Sequence, residues 1–412
     1  MNLLYGVDSP ALAWLKLREH LINRVCPIEE LGIMQALGYV LAEDCFAKED
    51  LPYFDCSLVD GYALKATDSF GVSKSSSNYL KLLDRVEIGA KFDSVLLLGT
   101  AVAVTAGSAL PRGADTVIRL EDTNLLDENT IQVNRSVSPG ENVLTVGEDY
   151  RKGDLILSKG RKLRAQDIGV LVALGYSELK VFSKPKVAII SIGDELVPPQ
   201  KKAEMGRIRD VNSYLLSSLV HEAGGLPLRL GIFPDSLEKL TAAIEQGLKI
   251  ADLVLISGGR RDHTVTAINK LGNPGVFVHG LALKPGKSTA IGLINDKTVF
   301  VLPGQPVSVF VAFELLIRPL LQSFTTLPQE IVFGQGRPRI KARLNCHLSS
   351  TTGWEEYVQV RLENTLEGII AHPILDRSRH ISAFPLADGF IGIPANTERL
   401  EAGEIVEVIV YP

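Results

Sequence analysis

Cysteine is scarce in this chain: four residues in 412, at Cys26, Cys45, Cys56 and Cys346, with no CxxC pair. That scatter argues against a structural zinc site and against a disulfide framework. Free thiols, buried or half-buried, are expected instead. Positive charge is not in excess either. The net charge is -5, so the basic footprint of a non-specific nucleic-acid binder is missing and no nucleic-acid partner is expected. Histidines do not cluster. His20, His221, His263, His279, His347, His372 and His380 show no metal-ligand spacing, and only His263, beside Asp262, stands near other chemistry. Long apolar runs are also wanting. Asp8 precedes the first one, and Lys16, Arg18, Glu19 and His20 interrupt it, which argues against a secretory leader. The most apolar later stretch, Val307 to Leu321, is broken by Glu314 and Arg318, which argues against a membrane span. A cytoplasmic location with no membrane partner is the expectation. No internal repeat or long low-complexity segment is visible.

What is present is ordinary globular material, 46% hydrophobic and 22% charged. A chain of 412 residues exceeds one core, so three or four domains are expected. Ser9-Pro10 reads as a helix start, with a hydroxyl cap and then proline at the first helical position; helical periodicity continues to about Val25. Ile28 to Leu41 reads as a second short helix, and Arg164 to Leu174 as another. Between Leu51 and Val146, short strands such as Val102-Ala103-Val104, Thr116-Val117-Ile118 and Ile131-Gln132-Val133 alternate with turns, a β-rich insert. Further on, the apolar runs at 187–190, 228–231, 253–256 and 299–302 are interspersed with helical patterns at 213–223, 236–250 and 307–324. That alternation predicts a parallel sheet covered on both faces, with ligands at the carboxyl ends of its strands. The last ninety or so residues read as all-β, with the boundary near Pro328.

Short Gly- and acid-rich strings fall at those strand ends. Asp194-Glu195 follows a buried strand; two acids there either orient a magnesium ion or cap a helix. Ser257-Gly258-Gly259 offers bare backbone to a phosphate, or is a tight strand-to-helix turn. Arg260 and Arg261 form an anion clamp or a solvated charge run. Lys284-Pro285-Gly286-Lys287 sets two ammonium groups around a rigid turn, so both can face one oxyanion; it lacks the spacing of a P-loop. Pro303-Gly304-Gln305-Pro306 follows a strand, with Ser308 as the expected cap of the next helix. Asp60-Gly61-Tyr62 is, taken alone, a turn.

Taken in order, these strings resemble the MoeA family of molybdopterin molybdenumtransferases, also found as the E domain of gephyrin. Residues 51–63 are similar to the family's P-x-F-D-x-S-x-x-D-G-Y-A signature, and Gly147-Glu148-Asp149 to its G-E-D. Residues 191–196 resemble S-T-G-D-E-L, Asp210-Val211-Asn212 D-x-N, residues 284–287 K-P-G-K, and residues 303–308 P-G-N-P-V-S; Ala387-Asp388-Gly389 and Gly403 to Val406 also fit. The resemblance spans essentially the whole chain. It implies a multidomain α/β protein: a linker domain over 1–50 and 147–183, an inserted β-rich domain over 51–146, a MogA-like three-layer parallel-sheet domain over 184–325, and a β-barrel-like domain over 326–412. It implies an enzyme that hydrolyses adenylated molybdopterin and inserts molybdate into the dithiolene, using Mg2+. Asp60, Asp149, Glu195 and Asp262 would be catalytic, with Glu195 and Asp262 holding the metal. Gly193, Asp194, Ser257, Gly258, Gly259, Lys284, Lys287, Pro303, Gly304, Pro306 and Ser308 would bind the pterin, nucleotide or oxyanion. A homodimer is implied, with the partner subunit completing the cleft, and so are a MogA-type adenylyltransferase and recipient molybdoenzymes as partners.

The chain departs from the family pattern in several places. Ala106 stands where the family's T-G-A-x-x-P has threonine, Ile192 replaces the threonine of S-T-G-D-E-L, and Gln305 replaces asparagine. The family loop S-G-G-x-S-x-G-x-x-D is here cut to Ser257-Gly258-Gly259-Arg260-Arg261-Asp262. Ser378-Arg379-His380-Ile381-Ser382 replaces a glycine-containing pattern. An active insertase is the first reading. The alternative is a catalytically altered paralogue that binds molybdopterin or molybdenum cofactor as carrier, sensor or scaffold. A nucleotide hydrolase on the same sheet is the remoter third.

Overall fold

The computed structural model describes residues 7–20, 25–73, 75–325, 337–375 and 380–411. Pro328, Ser378 and Arg379 lie outside them, as do residues 21–24, so those expectations have no structural counterpart here. The chain forms two compact units: residues 1–29, 38–40 and 181–412, and residues 30–37 with 41–180.

The first unit holds a six-stranded sheet built from β1 (Lys186–Ile192), β2 (Leu226–Phe233), β3 (Leu253–Gly258), β4 (Pro274–His279), β5 (Ala290–Ile294) and β6 (Lys297–Leu302). Its order is β2-β1-β3-β6-β5-β4. The pairs β1–β2, β1–β3 and β3–β6 are parallel, as the continuous apolar runs predict. The pairs β5–β6 and β4–β5 are antiparallel, so the sheet is mixed rather than wholly parallel. The reversal is made by Asn295-Asp296, both at positive φ (47° and 62°), a conformation that suits a two-residue hairpin.

Helices α1 (Asn212–Glu222), α2 (Leu237–Ile250) and α3 (Arg261–Leu271) connect the parallel strands. Ser236 caps α2, accepting from the Lys239 N–H at 3.3 Å. Ala188, Ile190, Ile192, Val254, Ile256, Val299 and Val301 pack one sheet face onto Leu240, Ala243 and Ile244 of α2 and Ile268 of α3. The intervening Val187, Ile189, Leu255 and Phe300 are fully buried too, so both faces are covered.

Residues Pro306–Ser323 continue from β6 as a helical run that is π-helical over Phe313–Ile317. This run is long and apolar enough to cross a bilayer, yet 83% of it is buried inside the fold. Glu314 and Arg318 are ion-paired within it. The remainder of this unit is a barrel. Strands Glu355–Thr365, Gly368–Pro373, Arg339–Leu344, Ile405–Val410 and Gly389–Ile393 pair in sequence, and the first also pairs with the last. Five strands thereby close on themselves around Ala342, Leu344, Val358, Val360, Ala371, Ile391 and Val408.

In the second unit a six-stranded sheet runs in the order Thr116–Arg119, Gly61–Leu64, Thr100–Val104, Asn78–Val86, Thr130–Val133, Thr123–Asp127. Alternation puts Tyr62, Leu64, Leu80, Ile118 and Ile131 in one core and Ala63, Val86, Val102, Val104 and Val117 in the other. The segment expected as a second helix, Ile28 to Leu41, is instead a strand at Ile28–Gly32, a turn with Gly38 at φ 79°, and a strand at Val40–Leu41. Ile33 N–H donates to the Ser177 carbonyl and Ala42 N–H to that of Lys180. Pairing with a distant segment outweighs the local helix preference. The first helix, Pro10–Glu19, starts as predicted, with Ser9 accepting from the Leu12 N–H at 3.1 Å, but stops at Glu19 rather than Val25.

Cys26, Cys45 and Cys56 are buried and Cys346 is half-buried. Burial, helped by Glu43 and Asp44, pushes the Cys45 thiol up to about 11. Helix Ala165–Ala173 opens on a buried carboxylate. Asp167 accepts from Arg164 N–H at 2.9 Å, from Arg164 Nε at 3.0 Å and from Arg161 Nη2 at 2.9 Å. The Arg164 guanidinium foremost, with Arg161 and the Arg164 N–H, holds this carboxyl well below the usual range against the opposing effect of burial. A depressed carboxyl pKa stabilises the fold fully above the unfolded value, about 3.9, and the contribution is lost as pH falls below it. Acid unfolding of the full chain, followed from neutral pH downward, is expected to show a loss below about pH 4 that is shallower in Asp167→Asn.

Candidate functional site

The carboxyl ends of β1, β3 and β6 are tied together by side chains. Asp210, 6% exposed, accepts from Ser191 Oγ at 2.9 Å, Ser213 Oγ at 2.6 Å and Ser213 N–H at 3.1 Å. Asn212 Nδ2 donates to Ser257 Oγ and to the Gly304 carbonyl, both at 2.8 Å. Ser257 Oγ donates in turn to the Pro303 carbonyl at 3.3 Å. Ser191 and Ser257 are the penultimate residues of β1 and β3, and Pro303 follows β6. The latch therefore holds the predicted residues Gly193, Ser257, Gly258, Pro303 and Gly304 in one neighbourhood. Buried networks of this kind rigidify what they connect, although Asn212 Oδ1 has no hydrogen-bond partner among the described residues.

Each loop beyond the latch has its own geometry. Gly258 (φ 86°) and Gly259 (φ 76°) lie in the left-handed region. A Cβ on Gly258 would sit 2.3 Å from the Ile192 carbonyl oxygen. After Gly193 the chain turns into a short strand, Leu196–Val197, so the helix-cap alternative for Asp194-Glu195 falls away. Both acids are exposed. The Glu195 carboxylate folds back over Gly193, where a Cβ would lie 2.7 Å from either oxygen. The Asp194 carbonyl accepts from Arg207 Nη1.

The short loop after Gly259 runs straight into α3, with Asp262 exposed in its first turn. Arg260 does not form a free anion clamp. Its N–H donates to Asp235 Oδ2 at 2.7 Å, its Nε lies 3.4 Å from the same oxygen, and His263 Nδ1 is 3.1 Å from Asp235 Oδ1. Asp235 was not singled out from sequence, although it follows the end of β2 as the other strings follow theirs.

A cavity of about 630 Å³ is lined by Lys284, Lys287, Pro303, Gly304, Gln305 and Ser308, with Thr351 and Trp354 from the barrel segment. The two lysines differ. Lys284 Nζ is paired with Glu356 at 2.9 Å, whereas Lys287 Nζ lies over the Trp354 ring at 5.0 Å. Glu356 and Trp354 carried no sequence signal. Ser308 is not the helix cap. Gln305 holds that position and Pro306 begins the helix, because proline needs no N–H partner there; Ser308 is buried in the first turn, 3.4 Å from Gln305 Oε1.

Asp60 and Asp149 belong to the second unit. Asp60 Oδ1 accepts from the Ala106 N–H at 2.9 Å. A cavity of about 450 Å³ is lined by Asp60, Tyr62, Arg85, Thr105 and Glu128. Asp149 is exposed, and its N–H donates to the Leu51 carbonyl at 3.0 Å.

Comparison with known proteins covers nearly the whole chain. Residues 12–175 match the MoeA N-terminal region (domain I and II), residues 188–323 the "Probable molybdopterin binding domain", and residues 341–411 the MoeA C-terminal region (domain IV). A Methanocaldococcus jannaschii protein named for molybdopterin biosynthesis is 35% identical over 99% of this chain and 98% of its own. The molybdopterin molybdenumtransferase of Bacillus subtilis is 30% identical, covering 94% and 92%. Two crystal structures of molybdopterin biosynthesis MoeA proteins from Pyrococcus horikoshii superpose with TM-scores of 0.81 and 0.84, at 37% and 31% identity; each covers 98% of this chain, and the matches span 99% and 100% of theirs.

Proposed function

The chain belongs to the MoeA family, and from that premise we propose that it is a molybdopterin molybdenumtransferase of molybdenum cofactor biosynthesis. Adenylated molybdopterin is hydrolysed, AMP leaves, and molybdate is transferred to the dithiolene. The observation that carries this reading is the cavity at the end of β6, where Lys284 and Lys287 meet bare backbone at Gly304. Ammonium groups and glycine backbone suit an oxyanion better than thiols would. Lys284, held by Glu356, acts as a fixed charge, while Lys287 remains movable against Trp354. The indole face also offers a stacking surface for the pterin.

Magnesium fits the residues present. Glu195 and Asp262 are exposed hard donors, and no group of three or more His, Cys, Asp or Glu side chains converges among the described residues. Mg2+ accepts so sparse a set, because it keeps several waters and takes oxygens from substrate phosphate. When bound, it would neutralise charge developing on the phosphoryl group. Gly193 lets the Glu195 carboxylate lie close to the end of β1, and Gly258 and Gly259 let a phosphate approach β3. Asp194, Ser257, Pro303, Pro306 and Ser308 shape the same loops. Asp149, together with Asp60 from the partner subunit of a cytoplasmic homodimer, completes the catalytic set. A MogA-type adenylyltransferase supplies the substrate and molybdoenzymes receive the product. The division into 1–50 with 147–183, 51–146, 184–325 and 326–412 belongs to the same proposal, and the three family matches and the closed barrel support it.

The test is AMP release from adenylated molybdopterin, with molybdate and magnesium added or withheld, beside Glu195→Ala. Molybdate-dependent release that disappears in Glu195→Ala is the expected result. Tight binding without release would favour the carrier or sensor reading, which the short Gly259–Asp262 loop motivates. Gly193→Ala separates positioning from folding. The three atoms nearest the added methyl all belong to the movable end of Glu195, so stability should change by less than about 0.5 kcal/mol. AMP release should fall about tenfold to a hundredfold as the carboxylate is displaced.

A further inference from the structure

The amino ends of the parallel strands carry a second cavity, of about 480 Å³. Lys186 opens β1 and Lys297 opens β6; Asp252 directly precedes β3 and Lys249 lies in the last turn of α2. Lys184 and Glu29 complete its charged lining. Strand β1 is seven residues long, and at ~3.3 Å each this places the cavity about 20 Å from Gly193. It is therefore separate from the site proposed above.

The four ammonium groups are not equivalent. Lys297 Nζ donates to the Ala251 carbonyl at 2.9 Å and to that of Leu248, so it neutralises the negative end of α2. Lys184 Nζ rests over the Tyr39 ring at 4.3 Å, which leaves the ammonium turned to an aromatic face rather than to a carboxylate. Lys186 and Lys249 are exposed, and neither forms an ion pair with another described residue. Of the two acids, Asp252 Oδ2 is held by the Lys186 N–H at 2.9 Å. Positive charge thus exceeds negative in a concave site, and three of the four lysines have no carboxylate partner among the described residues.

We propose that this cavity binds a small phosphate-bearing anion of two or more charges. All of its cations are lysines, point charges that suit a tetrahedral oxyanion from several directions; a planar carboxylate would favour the fork of arginine. The Ser183 side chain and Tyr39, both in the lining, add a hydroxyl and an aromatic wall. Bound there, the anion would bridge the start of β1 and the end of α2.

Inorganic pyrophosphate is the probe. Acylation rates of individual lysines in the full chain are measured by mass spectrometry, with pyrophosphate or citrate added at matched charge and ionic strength. Pyrophosphate is expected to slow labelling of Lys184, Lys186 and Lys249, and citrate to do so only at much higher concentration. In calorimetry, Lys184→Ala with Lys249→Ala should weaken pyrophosphate binding at this cavity about tenfold. Lys287→Ala should leave protection of Lys184, Lys186 and Lys249 unchanged. Unchanged labelling of those three lysines, or equal protection by citrate, would overturn the proposal. The labelling arm uses the unmodified protein, so it decides the matter even if the double variant folds poorly.

Discussion

Glu314→Ala is expected to lose about 3–5 kcal/mol of stability, because it leaves buried guanidiniums without their main counter-charge. Glu314 is 3% exposed and sits in the π-helical turn between β6 and the barrel. Its two oxygens receive two forks. Arg318 donates at 2.8 and 2.9 Å, and Arg337 at 3.0 and 3.1 Å. Exposed Glu222 takes a further bond from Arg318 at 3.0 Å. Four charges therefore balance, and removing one acid leaves a single, partly solvated carboxylate to serve both arginines. Denaturant unfolding of the full chain, followed by a probe in residues 181–412, measures the loss. Glu314→Gln keeps oxygen and shape but not charge and should cost less. Glu314→Ala with Arg337→Ala should cost less than the two single changes added together, by about 1 kcal/mol or more, since the partners share one network. An additive result would show that the network contributes little as a unit.

Gly258→Ala is the second large effect, and it falls on both stability and activity. The left-handed backbone costs an L-residue about 1–2 kcal/mol. The methyl would also meet the Ile192 carbonyl oxygen at 2.3 Å, and that atom is backbone. Ile192 and Gly258 are register partners, so relief requires β1 and β3 to part at the very end that the Asp210 and Asn212 latch closes. A total of about 3 kcal/mol is expected, with AMP release reduced by at least about a hundredfold even where the protein is fully folded. The contrast with Gly193→Ala is diagnostic. There the obstacle is a side-chain end that can rotate, so activity should fall while the melting temperature stays. If both glycine variants were fully active, the proposed site would be misplaced.

Much of the fold was legible from residue pattern. Buried parallel strands announce themselves as apolar runs, which is why β1, β2, β3 and β6 were found. Strands β4 and β5 were missed because Asn295-Asp296 is a less usual hairpin turn than one with glycine. Helix α3 is signalled only by the strand-to-helix turn before it, because residues 261–271 are mostly polar, with apolar side chains only at Val265, Ala267, Ile268 and Leu271. The strand at Ile28–Gly32 depends on a partner some 145 residues away, which no local window contains. For the site, glycines at strand ends were readable because backbone geometry demands them. Asp235, Glu356 and Trp354 were not, since their meaning comes from what they face: Arg260 and His263, Lys284, and Lys287 respectively.

The interrupted order of the first unit has a consequence for how the protein is made. Asp8, just ahead of the first helix, pairs with residues 280–282: its N–H donates to the Gly280 carbonyl, and the Ala282 N–H donates back at 2.8 Å. At a synthesis rate of ~5–20 residues per second, that partner emerges about 15–55 seconds after Asp8 does. The second unit, residues 30–37 with 41–180, finishes emerging well before then. For that interval helix Pro10–Glu19 must wait with Trp14 and Leu17, buried in the finished protein, unshielded. Ten residues are too few to hold a helix unaided. That helix therefore stays unshielded until residues 280–282 have been translated.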